Sequence, residues 1–196
     1  MPPLPKFKLR AVLYGVFLFY VLFCGIMKGN MEGNRIKPRA LLVFGAPCSG
    51  KTTFAEKFSK KFGLAHYNFD ELRSEHGFSN DDILVILEQI LKTGQTIVIE
   101  GMLDTERERM EVRNVLRKHN YTPSLIWIQT DVATIRSRLK NKFRSVSKAK
   151  KFYDTAISTM EAPGENEKAI ILSGKHTFET QTKHVVTGLA DLVEIK

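Results

Sequence analysis

Between the apolar run Ala40–Phe44 (ALLVF) and a helix-forming stretch from Thr52 to Phe62 stands Gly45-Ala46-Pro47-Cys48-Ser49-Gly50-Lys51-Thr52. This is the pattern G-x-x-x-x-G-K-[ST], and each part has a physical reason. Glycines at both ends let the backbone turn its N–H groups inward around an anion. The helix that follows presents its partly positive N-terminus to the same anion. Lys51 adds a full charge for the outer phosphates of a nucleotide, and the Thr52 hydroxyl suits magnesium. The spacing therefore predicts a strand, a phosphate-binding turn and a helix. Residues 45–53 are the expected nucleotide contacts, with Mg-ATP as the ligand.

The rest of the chain alternates strand and helix signals. Ala40–Phe44 reads as a strand buried on both faces, and Ala65–Phe69, Thr96–Ile99, Leu125–Gln129 and Ala169–Leu172 read as further short strands. Ser79 opens a helix carrying Ile83, Leu87, Ile90 and Leu91 on one side, with Gly94 at its end. Thr105 and Glu108 form a capping box for a helix running to about His119. Asp131 caps another with Ile135 and Leu139 on its apolar side, and a last helix begins near Glu179. Such alternation predicts an α/β domain of three layers, a five-stranded parallel sheet covered by helices on both faces.

The 196 residues carry 30 Lys+Arg against 21 Asp+Glu, but the excess is uneven. Residues 1–39 hold seven basic side chains and one acid, a net +6, leaving +3 for 40–196. The high overall charge is thus weak evidence for a nucleic-acid surface on the folded domain. Two cysteines, Cys24 and Cys48, make no disulfide framework, and no Cys/His spacing suggests a structural metal. Cys48 reads foremost as a small residue tolerated in the turn, and secondarily as a thiol favoured by the surrounding amides.

Residues 11–27 (AVLYGVFLFYVLFCGIM) are uncharged and apolar all round. As a helix they would span roughly 26 Å at about 1.5 Å per residue, the short end of a bilayer crossing. Two readings stand: an N-terminal apolar helix anchoring a cytoplasmic catalytic domain to a membrane, or a translation start at Met27 or Met31. In either, 28–39 is a polar linker, so 1–39 is set apart from a domain at 40–196.

At this point the chain resembles the small P-loop kinases, the group that contains polynucleotide 5′-hydroxyl kinases, zeta toxins and related small-molecule kinases. No guanine-reading [NT]-K-x-D string competes with that resemblance. It implies the P-loop NTPase fold with strand order 2-3-1-4-5. It further implies transfer of the γ-phosphate of Mg-ATP to a hydroxyl of a small molecule or a nucleic-acid 5′ end. Asp70-x-x-Arg73 at the end of the second strand matches a D-x-x-R in which the carboxylate takes the acceptor's proton and the arginine holds acceptor or phosphate. Strand C-termini in such sheets face the ligand crevice, which independently favours Asp70 as a base. Glu100 stands where relatives order magnesium together with the hydroxyl that Thr52 matches.

Arg107 or Arg109 resembles an arginine that faces the acceptor, Arg107 being the candidate substrate contact. Their alternative is pairing with Glu111 or nearby acids on an exposed face. Eight basic residues lie between 136 and 151, with no acid from Val132 to Tyr153. They resemble a lid over about 140–153, in which Arg138 and Arg144 would contact the phosphates and Lys142 replaces a second arginine of relatives. Residues 173–176 lie where relatives contact adenine. The reading from another class is a membrane-tethered nucleotide-binding regulator or NTPase with no acceptor.

Overall fold

The computed structural model describes residues 37–143 and 145–194. The apolar stretch 11–27 and Arg144 lie outside the described residues, and no described helix is long and apolar enough to cross a membrane. The strands are β1 (Arg39–Phe44), β2 (Ala65–Asn68), β3 (Ile97–Glu100), β4 (Thr122–Gln129) and β5 (Ala169–Ser173). The helices are α1 (Lys51–Phe62), α2 (Phe69–His76), α3 (Asn80–Leu91), α4 (Glu106–Lys118), α5 (Val132–Phe143), α6 (Val146–Thr159) and α7 (Phe178–Glu194).

All five strands are parallel in the order β2-β3-β1-β4-β5. Leu42 of β1 lies between Ile99 of β3 and Leu125 of β4, so every residue of β1 is buried and an uninterrupted apolar run is what that position requires. Side chains alternate across the pleat. Leu41, Val43 and Ile126 meet Phe54 and Phe58 of α1 and Val185 and Leu189 of α7 on one face. Leu42, Phe44 and Ile99 meet Ile83 and Leu87 of α3 and Val112 and Leu116 of α4 on the other.

The N-caps read at Ser79 and Thr105 and the stop at Gly63 form as expected, whereas the helix opened by Ser79 ends at Leu91 on Lys92 rather than at Gly94. Ser79 exchanges bonds with Asp82 and Thr105 with Glu108, and Gly63 ends α1 in the left-handed conformation. The fourth strand begins at Thr122, three residues ahead of the sequence reading, and two further elements differ from it. The second strand stops at Asn68 rather than Phe69, because the Asn68 side chain accepts the Glu71 amide at 3.2 Å and starts α2. Phe69 is then the buried first residue of a helix that was not expected, and Asp70 sits in its first turn. The basic stretch after α5 is also helical. Ala149 and Tyr153 of α6 close on Ile135 and Leu139 of α5, with Ala46 and Cys48 of the phosphate turn packed against them. A helical hairpin thus leans on the turn where only a lid segment was read.

Candidate active site

The 45–52 turn leaves β1 and enters α1 under tight steric control. A side-chain carbon at Gly45 would strike the Ile128 carbonyl, and Gly50 has φ +106°. Cys48 adopts φ +59°, a left-handed conformation rarely taken by non-glycine residues. The loop's carbonyls are tied down from behind. Arg138 Nη1 donates to the Cys48 and Ser49 carbonyls at 2.9 and 3.2 Å, and Nη2 to that of Gly174 at 3.2 Å. The Thr130 hydroxyl donates to Ser49 O at 2.9 Å. The first amides of α1 have no acceptor within the helix, which leaves them for an anion.

Across β1 from the turn, the end of β3 brings Glu100 to Thr52, whose hydroxyl donates to Glu100 Oε1 at 2.7 Å. Glu100 is 1% exposed, and its second oxygen is buried with no hydrogen-bond partner. His66 Nε2 lies 3.9 Å away, equally unbonded, on an imidazole that burial holds below its ordinary pKa. Burial pushes the Glu100 carboxyl up, opposed by the Thr52 bond and the Lys51 charge. A carboxylate paired with a threonine hydroxyl, and with its other oxygen free of hydrogen bonds, fits a magnesium ion that keeps waters and borrows phosphate oxygens. No described group of three His, Cys, Asp or Glu is placed to hold a metal ion.

The third wall is the end of β2 with the start of α2. Gly101 (φ +87°) lets β3 pass so close to Asp70 that a side-chain carbon there would strike the Asp70 amide. Asp70 Oδ1 accepts from Arg73 Nη2 at 2.8 Å. Arg73 also reaches Glu108 and Asn80, each at 3.3 Å. Burial works against the guanidinium's charge, but the bond and field of Asp70 hold its pKa above the usual value. Asp104 faces the same space, its carboxyl pushed up by burial and by Asp70's charge.

These walls enclose an open cavity of about 870 Å³. The structure brings Gly45, Pro47, Cys48, Gly50, Lys51, Thr52 and Thr53 to it, together with Asp70, Glu100 and Arg138. Ala46 instead packs under the α5–α6 hairpin, and Ser49 is buried beneath the loop. Arg73 stands behind Asp70 and does not line the cavity.

Arg107 is not brought there either. Its side chain is 84% exposed and pairs with Glu111 at 2.9 Å, one turn along the outer face of α4. Arg109 is wholly buried, on Glu167 at 2.7 Å and on the carbonyls of Leu103, Asp104, Glu161 and Ala162. It braces the segments on either side of the cavity rather than entering it. Lys142, Gly174 and His176 do line the space. Asp104 was not singled out from sequence. Its only signal there is its place just ahead of the Thr105 cap, in the loop after a strand end.

A family model described as an AAA domain matches residues 41–163, more than half of the chain. The chain belongs to the AAA domain family. Adenylate kinase isoenzyme 1 from Bos taurus and from Homo sapiens are each 32% identical to it over 80 residues, 41% of this chain and 41% of theirs. The matched stretch is thus about two fifths of those relatives' length. Among solved structures, a gluconokinase from Sinorhizobium meliloti superposes with TM-score 0.63 at 16% identity, covering 81% of this chain and 95% of that one. A sugar kinase from Janibacter sp. gives 0.59 at 17%, covering 78% and 95%. An APS kinase from Mycobacterium tuberculosis, in complex with AMPPNP and APS, gives 0.58 at 16%, covering 79% and 98%. At these identities the likeness shows the fold, and this AAA domain has the fold of a small P-loop kinase.

Proposed function

We propose that this AAA domain is a phosphotransferase that moves the γ-phosphoryl of Mg-ATP to the hydroxyl of a small molecule. One observation carries the reading: Lys51 and Thr52 line the same cavity as the Asp70 carboxylate, whose Oδ2 has no hydrogen bond among the described residues. The turn's amides and Lys51 hold the phosphate chain, and Arg138 fixes the turn's shape from behind while lending its charge. Thr52 and Glu100 would hold magnesium, which offsets charge on the β- and γ-phosphates when bound.

Asp70 accepts the acceptor's hydroxyl proton as that oxygen bonds to the γ-phosphorus. The bond from phosphorus to the β–γ bridging oxygen breaks, and ADP leaves with that electron pair. Arg73 orients the carboxylate through its bond to Oδ1. The basic α5–α6 hairpin acts as the lid, with Lys142 beside Arg138 at the cavity's edge. Water kept out by a closed lid cannot compete with the acceptor.

The test is transfer from γ-labelled ATP by the full chain across polyols, sugars, nucleosides and 5′-hydroxyl oligonucleotides. The expected result is label on an acceptor. Lys51→Ala should weaken Mg-ATP binding about 10- to 100-fold, from the loss of a charge-assisted bond, and remove the label. Label found only as inorganic phosphate, whichever acceptor is present, would instead support the regulator or NTPase reading.

A further inference from the structure

We infer that the acceptor is a hydroxylated small molecule bearing a protonated amine, with the amine on Asp104 and an apolar portion against α6. This rests on the phosphotransferase reading and narrows its substrate. The cavity's charges are segregated. Lys51, Lys57, Arg138 and Lys142 belong to the turn, α1 and the hairpin, whereas Asp70, Glu100 and Asp104 cluster at the ends of β2 and β3, where the Lys51 charge also reaches Glu100 and Asp104. A phosphorylated acceptor would need guanidinium or ammonium groups on that second side, and the arginines near it are already engaged. Arg73 is held by Asp70 and Glu108, Arg107 faces outward on Glu111, and Arg109 and Arg113 share Glu167.

The three carboxylates are not equivalent. Glu100 is bonded to Thr52, and Asp70 is bonded to Arg73. The Asp104 carboxylate, half-buried at the cavity wall, has no hydrogen bond or ion pair with any described residue. A partly desolvated anion near a second anion is relieved by a cation and strained further by a phosphate. The neutral part of the wall agrees: Asn68 and Ser74 offer hydroxyl-matching groups. Phe152, Ala156 and Met160 recur at every fourth position along one side of α6 and its cap, giving an apolar strip facing the same space. Among the described residues, that side of the cavity offers a polyanionic nucleic-acid end no unengaged guanidinium.

The full chain with γ-labelled Mg-ATP is offered glucosamine, kanamycin, glucose, AMP and a 5′-hydroxyl oligothymidylate. Binding of kanamycin and of AMP to the Mg-AMPPNP-loaded protein is measured in parallel. The expected result is at least a tenfold higher kcat/KM for the amines than for glucose, no label on AMP or oligonucleotide, and kanamycin binding that AMP does not match. Asp104→Asn should collapse the amine-over-glucose ratio to about one, while Asp104→Glu retains most of it. Label on AMP or oligonucleotide equal to that on the amines overturns the inference and leaves phosphotransfer standing. So does failure of kanamycin to bind the loaded protein. An Asp104→Asn variant that loses Mg-ATP affinity rather than amine preference would make Asp104 a metal group and likewise overturn it. A wild-type chain that binds no Mg-ATP overturns the phosphotransferase reading itself.

Discussion

On the phosphate side of the cavity, charged and hydroxyl donors are spent on backbone carbonyls: Arg138 on Cys48, Ser49 and Gly174, and Thr130 on Ser49. On the acceptor side the supports are side chains holding side chains, with Arg73 between Asp70, Glu108 and Asn80. Behind them Arg109 and Arg113 converge on Glu167. A site that fixes main chain can recognise any nucleotide's phosphates, because its shape does not depend on which side chains surround it. A site fixed by ion pairs is particular to its own residues. On the proposed function, this difference puts generality at the turn and specificity at the ends of β2 and β3.

The sharpest way to break this contrast is Arg109→Met. It leaves Glu167 with only Arg113 and the Gly164 amide, and takes the Arg109 donor from four carbonyls, of which Asp104 O keeps the Glu161 amide, so about 3 kcal/mol of stability should be lost, read as a lower urea midpoint. Burial pushes the Glu167 carboxyl up, but the Arg109 bond, the Gly164 amide and the charges of Arg109 and Arg113 together hold it below its ordinary value near 4.5. A depressed carboxyl contributes stability above that value and loses it as pH falls through the lowered one. The gap between wild type and variant should therefore narrow in acid. A gap that stays constant to pH 3 would remove the ion pair from the account.

A smaller effect is expected from Gly101→Ala. The new carbon would meet the Asp70 amide at a φ disfavoured for alanine, costing about 2 kcal/mol. Transfer should fall more than nucleotide affinity, since the acceptor side is what moves. Equal losses in both would show that the two halves are not separable.

The smallest change has the opposite sign. Burial raises the Glu100 carboxyl, so the stability linked to its proton is present below the ordinary glutamate value and lost as pH rises through the folded one. At neutral pH without nucleotide, Glu100→Gln should raise stability by about 1 kcal/mol, by removing an unsatisfied buried charge, while weakening Mg-ATP binding. The gain should vanish near pH 4. A destabilised variant at neutral pH would mean that Glu100 is satisfied in the free protein.

What could be read from sequence follows the same division. The turn, the strands beside it and the caps at Ser79 and Thr105 are local patterns, each complete within a few residues. Arg107 belongs with them, because its partner Glu111 is one turn away. Arg109, two residues later, looks the same in sequence, yet its partner is Glu167, 58 positions on, and only the fold brings them together. Helix α2 is not announced by the sequence because Asn68 ends a strand and caps a helix at once. Helix α6 did so because its basic residues mask the Ala149 and Tyr153 pair that buries it. Asp104 is set by tertiary proximity to Asp70, which no spacing announces.

The most direct measurement is Asp70→Asn, with Mg-ATP affinity by calorimetry and phosphoryl transfer by label in the same preparation. If the turn binds and the acceptor side reacts, affinity stays within about threefold of wild type while transfer falls about 10²- to 10⁴-fold. Transfer at the wild-type rate, or affinity and transfer falling together, would contradict the division of labour on which the account stands.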